Sequence, residues 1–298
     1  MMKVAVLPNL DKRGSADMVE KLGDFLKKEN ITAYIPDSIL NPKYIPIPEN
    51  ELFRVADIII TIGGDGTIMR FAKRAALDGK PILGINAGRM GFLANIEQNE
   101  LHLLTKLLDG DYTIEKRMML SVTVKENGKI LGEYNALNDA VITSGFISRI
   151  IDVSASVSGD AINYRADGLI ISTPTGSTAY SMSAGGPIID PAAETICITP
   201  ICSHSLSAKP IILGADTKIR LKAFSKKRTD IFLTVDGRKV CSVKPYTEIY
   251  VTKSESTVQL IRINERSFYK TLACKFADGR SVYGEKQETR TNYQPDKK

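Results

Sequence analysis

"ADIIITIGGDGTIMR", Ala56 to Arg70, decides how the first third of this chain folds. Its apolar run, Ile58-Ile59-Ile60, does not alternate with polar residues. A strand buried on both faces has that signature, and parallel sheets are built from such strands. Gly63, Gly64, Asp65 and Gly66 follow at once. The next stretch, "TIMRFAKRAALDG", reads as a helix with Gly79 near its end. Strand, glycine loop and helix form the repeating unit of an open α/β sheet, whose ligands sit beyond the carboxyl ends of the strands.

The same alternation extends to both sides. "KVAVLPN" (3–9) reads as a first strand, and Met18, Val19, Leu22, Phe25 and Leu26 form a helical stripe within Asp17 to Lys28. "ITAYI" (31–35) is a second strand. Pro36 to Glu49 holds four prolines and reads as an irregular surface loop. "KPILGINAG" (80–88) repeats the strand-then-glycine pattern, and Glu97 to Leu108 reads as helix. This order implies a parallel sheet covered by helices. The texture changes near Tyr112. Alternating strands take over, and Asn127-Gly128 and Asp236-Gly237 are hairpin turn signals. "EIYVTKSESTVQLIRI" (248–263) reads as two further strands. The expected organisation is an α/β domain over residues 1–111 and a β-rich domain over 112–272. A C-terminal segment, 273–298, follows, with a polar, disordered tail after Gly284.

The 298 residues suit two domains. With 43% hydrophobic and 25% charged residues, the balance is that of a globular protein. A net charge of +6 favours anionic ligands. No dense Lys/Arg block with interleaved aromatics appears, which argues against nucleic acid as a partner. Cys197, Cys202, Cys241 and Cys274 form no Cys-x-x-Cys pair, and the only histidines are His102 and His204. That argues against zinc and for reduced thiols in a cytoplasmic protein. The N-terminal apolar run is too short for a signal peptide. No apolar run approaches the ~18 residues of a membrane span.

Glycines let backbone amides approach a ligand, and a helix N-terminus adds partial positive charge. The loop at 63–66 is therefore a phosphate cradle in principle. It fits neither the Gly-x-Gly-x-x-Gly fingerprint nor the P-loop, since no third glycine and no lysine fall in place. Asp65 makes sense there if it handles a proton or a metal. A tight turn with Asp65 capping the helix is the competing reading, and the ten residues alone leave both open. A second loop, "DGLIISTPTGSTAYSMSAGGPIIDP" (167–191), offers amides, hydroxyls and one aromatic face to a planar ligand.

Together these segments resemble the NAD kinase family. "GGDGT" (63–67), "NAGRMGFLA" (86–94), "NDAVI" (138–142), "DGLIISTPTGSTAYSMSAGGP" (167–187) and "SHSLSAKPIIL" (203–213) occur in the family's order and spacing. The resemblance covers residues 1 to 272. It implies a Rossmann-like or phosphofructokinase-like α/β domain followed by a β-sandwich-like domain, with the site between them. The implied activity is a transferase: a kinase that phosphorylates the 2′-hydroxyl of NAD's adenosine ribose to give NADP. ATP or polyphosphate would be the donor and a divalent cation, Mg²⁺, the cofactor. Implied partners are NAD, the phosphate donor, and further copies of the chain in a dimer or tetramer.

Residue by residue, the resemblance makes Asp65 the catalytic carboxylate. Gly63, Gly64 and Thr67 would shape the donor-phosphate side, and Gly66 beside them would contact substrate. Asn138 and Asp139 match a pair that contacts adenine and ribose, although Asn-Asp alone is commonly a turn. Thr178 to Ser183 matches the nucleotide loop through Thr178, Ala179, Tyr180, Ser181 and Ser183, with Met182 read as packing within it. Asp167 matches an acid near the nicotinamide half. Phe92 either packs on the ligand or belongs to the core. Arg149, Arg165 and Arg238 are candidates for nucleotide contacts or, equally, for solvated positions. Arg238 stands where relatives often carry glutamine, and Arg165 hints at NAD over NADH. Two rival readings remain at this stage. One is a lipid kinase of the diacylglycerol type sharing the GGDGT loop; the other is a sensor that binds NAD or NADP without turnover.

Overall fold

The structure is a computed structural model that describes residues 2–277 apart from positions 89, 146–149, 206–207, 226–229 and 265. The expected tail after Gly284 lies outside the described residues. Five parallel strands form the N-terminal sheet: β1 (Lys3–Pro8), β2 (Thr32–Pro36), β3 (Ile45–Ile47), β4 (Ile58–Gly63) and β5 (Ile82–Asn86), in the order β5-β4-β1-β2-β3. Every residue of β4 and β5 is buried, as their unbroken apolar runs require. Three helices cover the sheet: α1 (Ser15–Lys28), α2 (Glu49–Val55) and α3 (Asp65–Leu77).

Two expectations change here. The proline-rich loop contains β3, which pairs with β2 at the sheet edge, where Pro46 removes no bond from the interior ladder. Glu97 to Leu108 is helical but broken, a 3₁₀ stretch over Gln98–Leu104 followed by one α turn, Thr105–Leu108. Glu97 and Glu100 cap it reciprocally.

Most of the remaining described residues are strands, broken by a 3₁₀ turn over Thr175–Thr178 and an α turn over Tyr180–Ser183. β6 (Thr113–Glu126), β7 (Lys129–Ala136), β8 (Asp139–Ser144), β9 (Ile151–Val157), β10 (Asp160–Ala166), β11 (Gly168–Ser172), β12 (Thr195–Ile201), β13 (Ile211–Gly214), β14 (Ile219–Phe224), β15 (Ile231–Val235), β16 (Arg238–Ser242) and β17 (Thr247–Arg262) follow in order. One sheet runs β13-β12-β11-β8-β15-β16. It faces β10-β9-β14-β17, with β6 and β7 beside β17. Leu120, Ile142, Val153, Leu169, Leu233 and Ile249 fill the space between the two layers. This is a β-sandwich. Both predicted hairpins form with two-residue turns of positive φ, 50° and 78° at Asn127-Gly128 and 47° and 75° at Asp236-Gly237.

The stretch 248–263 is one strand rather than two. Ser254-Glu255-Ser256 holds no glycine or proline to reverse the chain. The irregularity is absorbed as a register shift between Lys253 and Thr257, with the Ser256 N–H donating to Ser254 Oγ at 3.2 Å. Its length lets β17 reach back to the first half. Leu260 pairs with Ile82 of β5, and Ile261 and Ile263 pack with Val4, Ile60 and Ile85. One mixed sheet thus runs through both halves. Residues 268–277 end the described chain as a helix. No helix among the described residues is long and apolar enough to cross a membrane.

Candidate active site

Asp65 is the first residue of α3, at the carboxyl end of β4. Gly64, not Asp65, occupies the cap position, and the Asp65 carboxylate reaches to a different loop. It accepts the backbone N–H groups of Phe92 at 2.8 Å, Leu93 at 3.0 Å and Ala94 at 3.4 Å. The register Gly63↔Asn86 between β4 and β5 brings the two loops side by side. A Cβ at Gly91 would lie 2.0 Å from Asp65 Oδ1, so only glycine leaves room for the acid.

The three glycines of the loop serve different ends. A Cβ at Gly63 would strike Thr67 Oγ1 at 2.2 Å, so that glycine is required by internal packing. Thr67 is buried, and its hydroxyl has no protein partner. At Gly64 and Gly66 a Cβ would meet nothing within 4 Å. The fold does not need glycine at these two positions. Their bare backbone faces open space beside the N-terminus of α3, which suits an approaching anion.

One turn along α3, Met69 lines a cavity of 460 Å³. Asn138, Asp139, Ala179 and Tyr180 line it as well, with Asp236 and Gly237 from the hairpin turn. Four candidates from two distant motifs therefore share one cavity. Asn138 Nδ2 donates to Met69 Sδ at 3.3 Å and ties the cavity to the Asp65 helix. The Tyr180 hydroxyl is held above its usual pKa by burial and then by the charges of Cys202, Asp139 and Asp167, which places Asp167 in the same neighbourhood.

Asp236, which the Asp-Gly signal marks only as a turn, lines this cavity. Its carboxylate accepts the N–H groups of Leu137 at 2.9 Å, Asn138 at 2.7 Å and Asp139 at 3.2 Å. It fixes the backbone of the Asn-Asp pair. Removing it leaves three amides without acceptors, so Asp236→Ala should lose about 3 kcal/mol of stability in urea denaturation, with partial rescue by Asp236→Asn. An unchanged midpoint would mean that those amides find other partners.

Asp139 is 5% exposed, and its pKa is pushed up to about 7, first by burial and then by the charge of Asp236. An acid whose pKa is raised on folding stabilises the fold while it holds its proton. That contribution is fully present below the unfolded pKa, near 4, and is lost as pH rises to about 7. Asp139→Asn should therefore melt above the parent by a few degrees at pH 8, and the gap should close as pH falls toward 4. A gap independent of pH, read by calorimetry, would contradict the burial argument.

The remaining candidates are placed as follows. Thr178 Oγ1 donates to the Thr175 carbonyl at 3.2 Å. Ser181 is fully buried and shares a 2.9 Å hydrogen bond with Thr199, while Met182 and Ser183 are exposed. Arg165 is exposed on β10. None of these side chains lines the 460 Å³ cavity. Arg238 lines an adjoining cavity of 210 Å³ that shares Met69 and Asp236 with the first. Phe92 lines another, of 300 Å³, and its ring packs on Phe268 with centroids 5.5 Å apart. Arg149 lies outside the described residues. Among the described residues, no three His, Cys, Asp or Glu side chains gather as a metal site.

Comparison with known proteins covers both halves. Residues 4–112 match the family model of the ATP-NAD kinase N-terminal domain, and residues 137–263 that of the ATP-NAD kinase C-terminal domain. A NAD kinase of Natranaerobius thermophilus is 39% identical over 287 residues, which is 95% of this chain and 100% of that protein. A crystal structure of an NAD kinase from Archaeoglobus fulgidus in complex with ATP superimposes with a TM-score of 0.70 at 26% identity, covering 92% of this chain and 98% of that one. Yeast NADH kinase complexed with NADH gives 0.80 at 23% identity, covering 100% and 90%, a likeness of fold.

Proposed function

Since the chain belongs to the ATP-NAD kinase family, matched along both halves, we propose that it phosphorylates NAD to NADP by moving a phosphoryl group from ATP to the 2′-hydroxyl of the adenosine ribose. The observation that carries the site assignment is the position of Asp65, held by three amides one helical turn from the cavity of Asn138, Asp139 and Tyr180.

Phosphoryl transfer needs alignment and charge stabilisation more than a strong base. Asp65 would orient the ribose hydroxyl and take its proton as the new phosphorus–oxygen bond forms. Asn138 offers both a donor and an acceptor to an adenine edge. Asp139 would accept from ribose hydroxyls once ionised, and Tyr180 lends an aromatic face. Gly63, Gly64, Gly66 and Thr67 would face the donor phosphates. Mg²⁺ commonly takes one or two carboxylates plus substrate phosphates. Here the donor phosphates and water would hold it, and the cation would neutralise charge on the transferred group. Self-association as a dimer or tetramer and a cytoplasmic location are part of the same proposal.

The test is to incubate the chain with ATP, Mg²⁺ and NAD and measure NADP. Parallel arms replace ATP by polyphosphate, NAD by NADH, and NAD by diacylglycerol. NADP formation carries the proposal. Phosphorylated diacylglycerol would point to the lipid kinase, and NAD binding without product to a sensor.

A further inference from the structure

Two loops of the site are joined by one chain of charged side chains. Glu115 and Arg117 lie two residues apart on β6 and so share a face of the sheet. The register Thr113↔Arg262 and Glu115↔Leu260 puts Arg262 of β17 diagonally beside Glu115. Glu115 pairs with both guanidiniums, with Arg117 Nη2 at 2.8 Å and with Arg262 through its Nε. Each arginine then reaches a different loop. Arg117 Nη1 donates to Thr175 Oγ1 at 3.2 Å, at the head of the nucleotide loop. Arg262 Nη1 donates to the Leu93 carbonyl at 3.0 Å.

The Leu93 carbonyl belongs to the peptide whose N–H, that of Ala94, donates to Asp65 Oδ1 at 3.4 Å. A trans peptide directs its C=O and N–H to opposite sides, so Arg262 and Asp65 hold one peptide by its two edges. Polarisation passes along such a chain, and a cation on the carbonyl strengthens the N–H as a donor. The end of β17 secures the next residue as well. Asn95 is 1% exposed, and its Oδ1 accepts the N–H groups of Ile263 at 2.7 Å and Asn264 at 3.2 Å. The cradle of Asp65 is therefore fixed from outside its own loop. Stability alone does not account for the charged chain. Arg117 is 2% exposed, and its Nε–H is buried without an acceptor among the described residues. Buried ion pairs add little net stability, and apolar side chains of similar volume often replace them without loss. What two forks anchored on one acid supply, and apolar residues do not, is fixed direction.

We propose that Arg117, Glu115 and Arg262 are positioning residues for phosphoryl transfer: together they set the amide cradle of Asp65 against the head of the nucleotide loop, so that the acid and the bound ribose stay in register. The proposal rests on the kinase reading above and adds to it the part that aligns the site. Phosphoryl transfer gains much of its rate from alignment. None of the three side chains touches substrate in this role; Arg262 acts through the Leu93–Ala94 peptide and Arg117 through Thr175.

The experiment measures kcat, the NAD KM and the melting temperature of the full chain with ATP and Mg²⁺. Arg262→Gln releases the Leu93 carbonyl and should lower kcat by about tenfold, less than the ~10²-fold that a 1 Å misplacement can cost. The NAD KM should hold, because Arg262 does not line the 460 Å³ cavity. Thr175→Val keeps the shape, removes the hydroxyl at the other end of the chain, and should lower kcat by a similar factor. Thr175→Ser keeps the hydroxyl and should recover most of that loss. A packing role for the threonine methyl would instead make serine the worse variant and would overturn the proposal. Arg262→Gln combined with Thr175→Val should be little slower than either alone, since one link is cut twice; multiplied losses would show two independent roles and overturn it. Against Asp65→Asn, Arg262→Gln should cost little more. The same tenfold loss there overturns the proposal, because the arginine would then act through another group. Arg262→Lys keeps the charge and loses the fork; it should show a smaller loss in the same direction and serves if the glutamine variant does not fold. If the parent makes NADP and neither Arg262 variant changes kcat, whatever the melting temperature does, the ion pair is structural, the positioning role is refuted and the kinase assignment stands. If the parent makes no NADP, the assignment itself falls, and the proposal with it.

Discussion

Asp65→Asn should form NADP about 10²–10⁴-fold more slowly than the parent while binding NAD with the same affinity. The amide has the shape of the acid, so the 460 Å³ cavity that holds Asn138, Asp139 and Tyr180 is untouched. What changes is the ability to accept a proton from the ribose hydroxyl. Asparagine also presents an NH₂ group to the amides of residues 92–94, which now donate to a carboxylate. One donor must then face another, and a slightly lower melting temperature should accompany the kinetic loss. Steady-state turnover and NAD binding by fluorescence separate the two effects. Turnover near that of the parent would remove Asp65 from the mechanism.

Gly91→Ala should lower kcat by about a hundredfold through Asp65 alone. Position 91 is not among the glycines with positive φ, so alanine can adopt its backbone. The added carbon would sit 2.0 Å from Asp65 Oδ1 and 2.5 Å from its Cγ. The carboxylate must leave the amide cradle, and a displacement of about 1 Å at a reacting group can cost about 10²-fold. The NAD KM should hold, because the 460 Å³ cavity is lined by other residues. A double variant with Asp65→Asn should be little slower than Asp65→Asn alone, since both act through one group. Multiplied losses would show that Gly91 serves something else.

The parts of the fold legible in the sequence are those set by local chemistry. Ile58 to Ile60 and the glycines after them announced a buried strand with a loop at its carboxyl end. Asn127-Gly128 and Asp236-Gly237 announced hairpins, because the turn they form demands two residues of positive φ. The parts that were not legible depend on pairing between distant segments. The cradle for Asp65 arises only when β4 and β5 align Gly63 with Asn86. The capping of Leu137, Asn138 and Asp139 by Asp236 needs β15 beside β8 in the register Val235↔Ala140, which no local window contains. β17 was split in two because "KSES" is polar, yet it lacks a residue that reverses a chain. β3 is hidden by the prolines around it, and α2, seven residues without a proline, is too short to show a helical stripe.

Among the candidate residues, the motifs supplied four that line one cavity, Asn138, Asp139, Ala179 and Tyr180. They could not tell which hydroxyls of the second loop turn outward to a ligand. Ser181 faces Thr199 in the interior, a fact set by the packing of the loop on β12. Arg117 gave no signal at all, since one arginine in the strand "EKRMML" looks like a surface charge until β6 is seen to be covered.

The most direct measurement is a crystal structure with NAD bound. The account predicts the adenosine ribose beside α3, with its 2′-hydroxyl about 2.6–3.2 Å from an Asp65 carboxylate oxygen. A dinucleotide bound with that hydroxyl far from both Asp65 carboxylate oxygens would contradict it.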